Sequence, residues 1–232
     1  MRNDDRFRHE LKYLINKADM HCCIERIETF SELDPHARNG SYLIRSLYFD
    51  DQYESAYVDK ENGVASRSKF RIRIYDMDHS FISLEQKIKE SVYIQKRSAI
   101  ISETECDKII NGDTAFLLKR NERCANDFAV KWRTDRLRPR VIIDYDRIPF
   151  VCENGDVRIT FDMDIRAVNS HELFDTGTPS YRVMDPDLLI MEVKYTDYLP
   201  DIYRAILPDN TCRLAASKYV MSIDTLRRMQ VI

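Results

Sequence analysis

Three cations alternate with apolar residues along the stretch 68–75. Lys69, Arg71 and Arg73 fall on one face of a predicted strand, because successive side chains of a strand point to opposite sides. The residues between them are Phe or Ile, so the other face is apolar. Three neighbouring cations repel one another unless that face meets bulk water or binds an anion. The stretch therefore predicts either a solvated strand face or an anion site.

Other predicted strands have the same design, with one apolar face and one face that carries Arg or Lys and an occasional Glu. These polar faces hold Arg8, Glu10, Lys12, Lys69, Arg71, Arg73, Glu85, Lys87, Lys89, Arg147, Arg158, Glu192 and Lys194. An open sheet could show them to water while helices cover its apolar face. A closed antiparallel barrel would instead enclose them in a cationic lumen. The pattern alone leaves both arrangements open.

A cationic lumen would have definite chemistry. Confined guanidinium and ammonium groups need counter-anions, because an unpaired buried charge is very costly. A polyphosphate chain meets that need, and Arg suits bidentate contact with phosphate. The few carboxylates facing inward would be candidate ligands for Mg²⁺ or Mn²⁺, which prefer oxygen.

Helices and strands are predicted to form one α+β domain over residues 1–232. Asn16 with Asp19, and Ser102 with Glu105, have the spacing of helix N-caps. Further helices are predicted at 113–137, 200–207 and from near Ser217 onward. Strands are predicted at 7–13, 42–49, 68–75, 81–89, 92–101, 140–147, 157–165 and 188–195. Pro149 and Gly155 are expected to bracket a turn, and 169–187 to be a loop.

Composition excludes several functions. The five glycines form neither a GxxxxGK[ST] nor a GxGxxG phosphate loop. A net charge of -3, and basic strands without interleaved aromatics, argue against nucleic-acid binding. The six cysteines form no CxxC pair, so we expect free thiols in a reducing cytoplasm. Neither a signal peptide nor an apolar run long enough to span a membrane is present in this sequence.

A series of short motifs resembles the VTC domain, in the same order along nearly the whole chain. The motifs are RHELKY (8–13), IRSLYFD (44–50), KFRIRIY (69–75), LEQK (84–87), DYDR (144–147), VRITFD (157–162), MEVKY (191–195) and SKY (217–219). The VTC domain is the catalytic domain of the vacuolar transporter chaperone complex, a polyphosphate polymerase of the triphosphate tunnel metalloenzyme superfamily. The resemblance implies an antiparallel β-barrel tunnel with a cationic lumen and helices packed outside. It also implies ATP and polyphosphate as ligands, Mn²⁺ or Mg²⁺ as cofactor, and transfer of the terminal phosphoryl group of ATP to a growing chain.

The resemblance also implies the roles of individual residues. The phosphate-binding and catalytic candidates are Arg71, Arg73, Lys87, Arg147, Arg158 and Lys218. Lys12 and Lys96 would also bind phosphate, with Tyr145 and Ser217 assisting. Lys89 and Arg97 are neighbouring candidates, and Glu10 and Lys194 complete the substrate-binding set. Glu192 would hold the metal.

Two departures from the family pattern bear on function. Hydrolases of the superfamily open with Glu-x-Glu-x-Lys, whereas this sequence has Arg8 at the first acidic position, which favours the polymerase. Ala215 stands where a lysine is expected, with Arg213 nearby. A triphosphatase or polyphosphatase, and a non-catalytic polyphosphate or nucleotide binder, remain the alternatives. Eukaryotic relatives carry a sensor domain and membrane helices that this sequence lacks, so export cannot be inferred for this chain alone, and a membrane-protein partner is left open.

Overall fold

A computed structural model describes residues 6–37, 39–152, 156–207, 215 and 217–232. Its strands are β1 (His9–Asn16), β2 (Glu32–Leu33), β3 (Tyr42–Asp50), β4 (Ser66–Tyr75), β5 (Ile82–Glu90), β6 (Tyr93–Ile101), β7 (Arg138–Cys152), β8 (Val157–Val168), β9 (Ser180–Arg182) and β10 (Leu188–Tyr195). Its helices are α1 (Lys17–Ile27), α2 (Ser55–Glu61), α3 (Glu103–Ile110), α4 (Arg123–Thr134), α5 (Asp201–Arg204) and α6 (Lys218–Arg228), with a 3-10 turn at Ala115–Lys119. No helix in these ranges is long and apolar enough to cross a bilayer.

The strands form one antiparallel sheet in the order β1-β10-β8-β7-β3-β4-β5-β6, with β2 beside β7 and β9 beside β8. The sheet curls until its two edges meet. Arg8, just before β1, exchanges both backbone hydrogen bonds with Ile94 of β6, at 2.8 and 2.9 Å. His9 also packs against Tyr93 of β6, with ring centroids 5.0 Å apart. The sheet is therefore not paired all the way round as a complete barrel, but its edge strands touch at one end.

Helices cover the outer, apolar face of the sheet, as predicted. Phe70, Ile72 and Ile74 of β4 are buried there against α3 and α4. The caps predicted for two helices are present: Asn16 Oδ1 accepts from the backbone N–H of Asp19 at 2.8 Å, and Ser102 forms a capping box. α1 and α5 cover the outer face of the other half of the sheet, formed by β1, β10 and β8.

The last helix, α6, packs on the inner face instead. Its residues Tyr219, Val220 and Ile223 are buried against inward-facing residues such as Tyr48 of β3 and Ile143 of β7. The reason is its apolar stripe, since the inner faces of β3 and β7 are apolar along the part that α6 covers. α6 therefore fills part of the enclosed space, and the cationic residues line the rest.

Three segments differ from the prediction. β7 runs without interruption through Pro149 to Cys152, because Ile148 and Phe150 pack into the outer core and the Pro149 carbonyl accepts from the N–H of Asp34 at 2.9 Å. The predicted turn residue Gly155 lies outside the described residues. β2 and β9 were not predicted, since two or three residues carry too little alternation to reveal a strand.

Candidate functional site

A cavity of about 410 Å³ lies on the inner face of the sheet. Eleven of the described residues that line it are Lys or Arg, and only two, Glu10 and Glu192, are acidic. These charged residues come from β1, β4, β5, β7 and β10, from α2, and from the start of α6. The alternation of the strands places these cations inward for the same reason that it places Phe70 and Ile72 outward. Of the two arrangements that the sequence left open, the structure is nearer to the enclosed one, although the sheet is not paired all the way round.

One charge cluster is centred on Glu85 of β5, whose side chain is 1% exposed. Its Oε2 accepts from Arg71 Nε at 2.7 Å, and Arg73 approaches the same oxygen at 3.8 Å. Lys96 Nζ lies 3.1 Å from Oε1. Burial opposes ionisation of Glu85, but Arg71 and Lys96 hold its pKa well below the usual range. Glu85 therefore compensates part of the charge of three cations and fixes Arg71 in place.

Hydrogen bonds to neighbouring hydroxyls orient the same two arginines. Arg71 Nη1 donates to Tyr48 Oη at 2.8 Å, and Arg73 Nη2 donates to Tyr145 Oη at 3.0 Å. Arg73 Nε also donates to Ser46 Oγ, at 3.0 Å. The guanidinium groups are thereby held rigid, which reduces the entropy lost when they bind a ligand.

A second cluster joins β7, β8, β10 and α6. Asp162 is fully buried and accepts a bidentate pair of hydrogen bonds from Arg147, at 2.6 and 2.7 Å. Lys218, the first residue of α6, lies 2.5 Å from Asp162 Oδ2 and 2.9 Å from Glu192 Oε1. Burial would lower the pKa of Lys218, but Asp162 and Glu192 raise it instead. Lys218 is therefore a permanent cation that anchors α6 to the cavity wall.

Two carboxylates, Glu10 and Glu192, share the lysines of the neighbouring strands. Lys12 Nζ lies 3.3 Å from Glu192 and 3.8 Å from Glu10. Lys194 Nζ lies 2.8 Å from Glu192 and 3.7 Å from Glu10. Lys87 Nζ donates to both oxygens of Glu10, at 2.9 and 2.7 Å. Burial raises the pKa of Glu10, but Lys12 and Lys87 outweigh it and lower the value to about 2. Burial also lowers the pKa of Lys194 to about 8, although Glu192 opposes this.

Most of the predicted site residues come together at this cavity. The lining residues include Glu10, Lys12, Arg71, Arg73, Lys87, Lys89, Tyr145, Arg147, Glu192, Lys194, Ser217 and Lys218. Ala215 also lines it, whereas Arg213 is outside the described residues. Lys96 does not line the cavity; it contacts Glu85 behind the cavity wall.

Two predicted residues are not brought to the cavity. Arg97 lies on the helix-covered face, where its Nη1 is 3.5 Å from Asp127 of α4. The cause is strand parity: Lys96 pairs opposite Lys87 and faces inward, so its neighbour must face outward. Arg158 is turned away, and its Nη2 donates to Asp34 at 2.8 Å and to Tyr42 Oη at 2.9 Å.

The predicted site residues do not include Tyr48, Lys60, Gly63, Arg67, Lys69 and Ile94, which also line the cavity. The alternation places Lys69 on the cationic face with Arg71 and Arg73, although it was not among the predicted site residues, and Arg67 continues the same alternation. Asp162, which the sequence left without a role, proves to hold both Arg147 and Lys218. Lys60 and Tyr48 lie on elements whose inward direction no alternation reveals.

The carboxylates fit a divalent cation only if the substrate supplies further ligands. No group of three or more His, Cys, Asp or Glu side chains suitable for a metal occurs among the described residues. Glu10 and Glu192, however, both contact Lys12 and Lys194, so the two carboxylates lie close together. Lysines and arginines hold the pKa of Glu192 well below its usual range against the effect of burial, so it is ionised. One or two carboxylates with phosphate oxygens are the usual donors to Mg²⁺.

Comparison with known proteins bears on the family and the fold. The family model of the VTC domain matches residues 7–227, while no curated protein matches the chain. HpAC1 from Hippeastrum, a proposed adenylyl cyclase with a dominant triphosphatase activity, is 13% identical with a TM-score of 0.53, and the match covers 94% of this chain and 95% of that one. PH1819 from Pyrococcus horikoshii OT3 is 12% identical with a TM-score of 0.48, over 94% and 98% of the two chains. The likeness to HpAC1 confirms the predicted α+β tunnel fold.

Proposed function

The chain belongs to the VTC domain family, and on this premise we propose that it is an ATP-dependent polyphosphate polymerase. The observation that carries the proposal is the excess of cations in the cavity, eleven against two carboxylates among the described lining residues. Glu85 and Asp162 behind the wall balance only part of that charge. A linear anion with many charges is the ligand that such a cavity favours, because it supplies the missing counter-charges.

The arrangement suits phosphoryl transfer. This reaction needs neutralised charge and in-line alignment of donor and acceptor more than it needs a covalent nucleophile. Arg71, Arg73 and Lys87 would bind and orient one part of the polyanion, and Arg147 with Lys218 another. The acceptor would be the terminal phosphate of the chain, which is already ionised at neutral pH. A strong general base is therefore unnecessary.

Mn²⁺ or Mg²⁺ would be held by Glu192, with Glu10 beside it and phosphate oxygens as the remaining donors. When bound, the cation would neutralise charge that develops on the transferred group. The lysines that now pair with Glu192 would then be free to bind phosphate oxygens. The single-domain organisation over residues 1–232, the cytoplasmic location and a membrane-protein partner for export stay predictions within this proposal.

A triphosphatase is the second candidate, and the dominant triphosphatase activity of HpAC1 favours it. Water in place of the terminal phosphate of the chain would convert the same site from a transferase into a hydrolase. The two functions differ in their products, because a polymerase yields long chains and ADP whereas a hydrolase yields free phosphate.

The test is incubation of the purified protein with ATP and Mn²⁺, with and without a short polyphosphate primer. Products are resolved on a gel that detects polyphosphate, while ADP and free phosphate are assayed in parallel. We expect long chains and a matching amount of ADP. Free phosphate without chains would refute the polymerase and favour the hydrolase. Binding of ATP with no product under either condition would refute both and indicate a non-catalytic binder.

Glu192→Gln separates the metal role from phosphate binding. The variant should lose metal-dependent turnover and still bind tripolyphosphate in the absence of metal. Glu90→Gln is the matched control. Glu90 lies at the exposed end of β5, and the contact seen for its side chain among the described residues is a hydrogen bond from Ser66. Turnover that survives in Glu192→Gln would contradict the metal assignment.

A further inference from the structure

Lys69 of β4 lies beside the start of α6. Its Nζ is 3.3 Å from Ser217 Oγ and 4.8 Å from the centre of the Tyr219 ring. Ser217 precedes the first residue of α6, so the ammonium group is close to the positive end of the helix dipole. Lys69 also lines the cavity, as Lys218 and Arg71 do. An anion at this position would meet a lysine, a hydroxyl and a helix N-terminus together.

The contacts of Lys69 differ from those of the cavity cations that pair with a carboxylate. Lys12, Lys87, Arg71 and Lys218 each pair with at least one carboxylate. Lys69 makes no ion pair with a carboxylate of the described residues; its contacts are the hydroxyl and the ring. A phosphate can therefore bind Lys69 without displacing an existing carboxylate partner.

The surroundings of Lys69 disfavour a positive charge until an anion arrives. Burial is the main cause that lowers its pKa to about 7; Asp50 of β3 opposes this, and Arg67 on its own strand, Lys60 of α2 and Lys87 of β5 contribute to it. The nearest group on α6 that titrates, Tyr219, donates its hydroxyl to Asp50 at 2.6 Å. Asp50 is thus engaged with Tyr219, and an added phosphate would be the group that restores the lysine's charge.

We propose that Lys69 is a further phosphate-binding residue of this cavity, and that its amine takes up a proton from solvent when the phosphate binds. The inference rests on the proposed function, because it assumes that the cavity binds a phosphate chain. Phosphate binding by Lys69, beside the start of α6, would then depend on pH, and the affinity would rise as the pH falls from 8 towards 7. The buffer or water supplies the proton, and Lys69 returns it when the ligand leaves.

Titration calorimetry with tripolyphosphate tests this proposal without nucleotide, metal or turnover. At pH 8, the binding enthalpy is measured in buffers of different ionisation enthalpy, so that the slope gives the number of protons taken up. Lys69→Arg keeps the positive charge but does not titrate in this range. Lys69→Met removes the charge. Lys17→Arg and Lys17→Met are the controls, because Lys17 is half exposed at the start of α1 and does not line the cavity.

The wild-type protein should take up roughly 0.9 proton more than Lys69→Arg, since a group with a pKa of about 7 is about 90% deprotonated at pH 8. Protonation of the ligand and of Lys194 is common to both proteins and cancels in the difference. Lys69→Met should bind about tenfold more weakly. Equal proton uptake in wild type and Lys69→Arg, or unchanged affinity in Lys69→Met, overturns the inference while the proposed function stands. A wild-type protein that does not bind tripolyphosphate overturns both.

Discussion

Replacing Glu85 by Gln should destabilise the ligand-free protein and strengthen its affinity for phosphate chains. Glu85 is the buried carboxylate that Arg71, Arg73 and Lys96 share, at 2.6, 3.8 and 3.1 Å. Gln has the same shape but no charge, so the substitution leaves these cations without their counter-ion. A bound phosphate chain supplies the missing negative charge. The substitution therefore affects the free protein and the complex differently.

The expected magnitude follows from the burial of the pair. Removing one partner of a buried ion pair costs about 3–5 kcal/mol, and the side chain of Glu85 is only 1% exposed. That loss is a large part of the roughly 5–15 kcal/mol by which a domain is stable. Ligand at a hundredfold excess over its Kd returns about 2.7 kcal/mol to any protein that binds it. Saturating ligand should raise the free energy of unfolding of Glu85→Gln by more than this, because the affinity of the variant for the anion is higher than that of the wild type.

Urea denaturation at neutral pH, with and without saturating tripolyphosphate, measures both effects. Glu90→Gln is the matched control, because it removes the same charge from the exposed end of the same strand. The control should unfold at nearly the wild-type urea concentration under both conditions. Two results would refute the idea that Glu85 serves as internal counter-ion for the phosphate-binding cations. One is a free energy of unfolding of Glu85→Gln within about 1 kcal/mol of the wild-type value. The other is a loss of stability in Glu85→Gln that tripolyphosphate does not reduce.

Two further predictions concern individual groups. Arg71→Ala should weaken tripolyphosphate binding by about 10- to 100-fold, the equivalent of one charge-assisted contact. Arg97→Ala should leave the affinity unchanged, because Arg97 contacts Asp127 outside the cavity. Equal losses of affinity for the two variants in a calorimetric titration would contradict the observed strand register. The pKa of Glu10 falls from 4.5 to about 2 in the folded protein. Its ionised form therefore stabilises the fold fully at pH values above about 4.5, and this stabilisation is lost as the pH falls towards 2. Denaturation at a series of pH values should show a flatter pH dependence for Glu10→Gln than for wild type over this range, and parallel curves would contradict the assignment.

Much of the local structure could be predicted because it depends on near neighbours in the chain. The N-caps at Asn16 and Ser102 are confirmed, since a cap requires only a side chain and a backbone N–H three residues later. The inward direction of Arg71 and Arg73 follows equally from the two-residue period of a strand. The end of β7 could not be predicted in this way, because Pro149 is held by packing of its neighbours and by Asp34, which lies far away in the chain.

The predicted site residues lie at the cavity where they belong to long alternating strands, and the agreement is poorer elsewhere. Lys96 and Arg97 are adjacent, so only one of them can face the cavity, and the pairing of β6 with β5 decides which one it is. Arg158 has the right strand face, yet Asp34 and Tyr42 draw its guanidinium away from the cavity. Lys60 enters from α2, whose position depends on the packing of the whole molecule.

That cations share one face of several strands follows from the sequence, since alternation is a property of the single strand. The sequence also carried the order of motifs that places the chain in the VTC domain family. Only the tertiary structure decided that the sheet curls and encloses this face, and that α6 packs inside it rather than outside. The tertiary structure also set the counter-ion of each cation: Asp162 pairs with Arg147 and Lys218 across three elements, while Lys69 is left without a carboxylate partner among the described residues. Such pairings depend on distances between strands that are remote in sequence, and no local pattern encodes those distances.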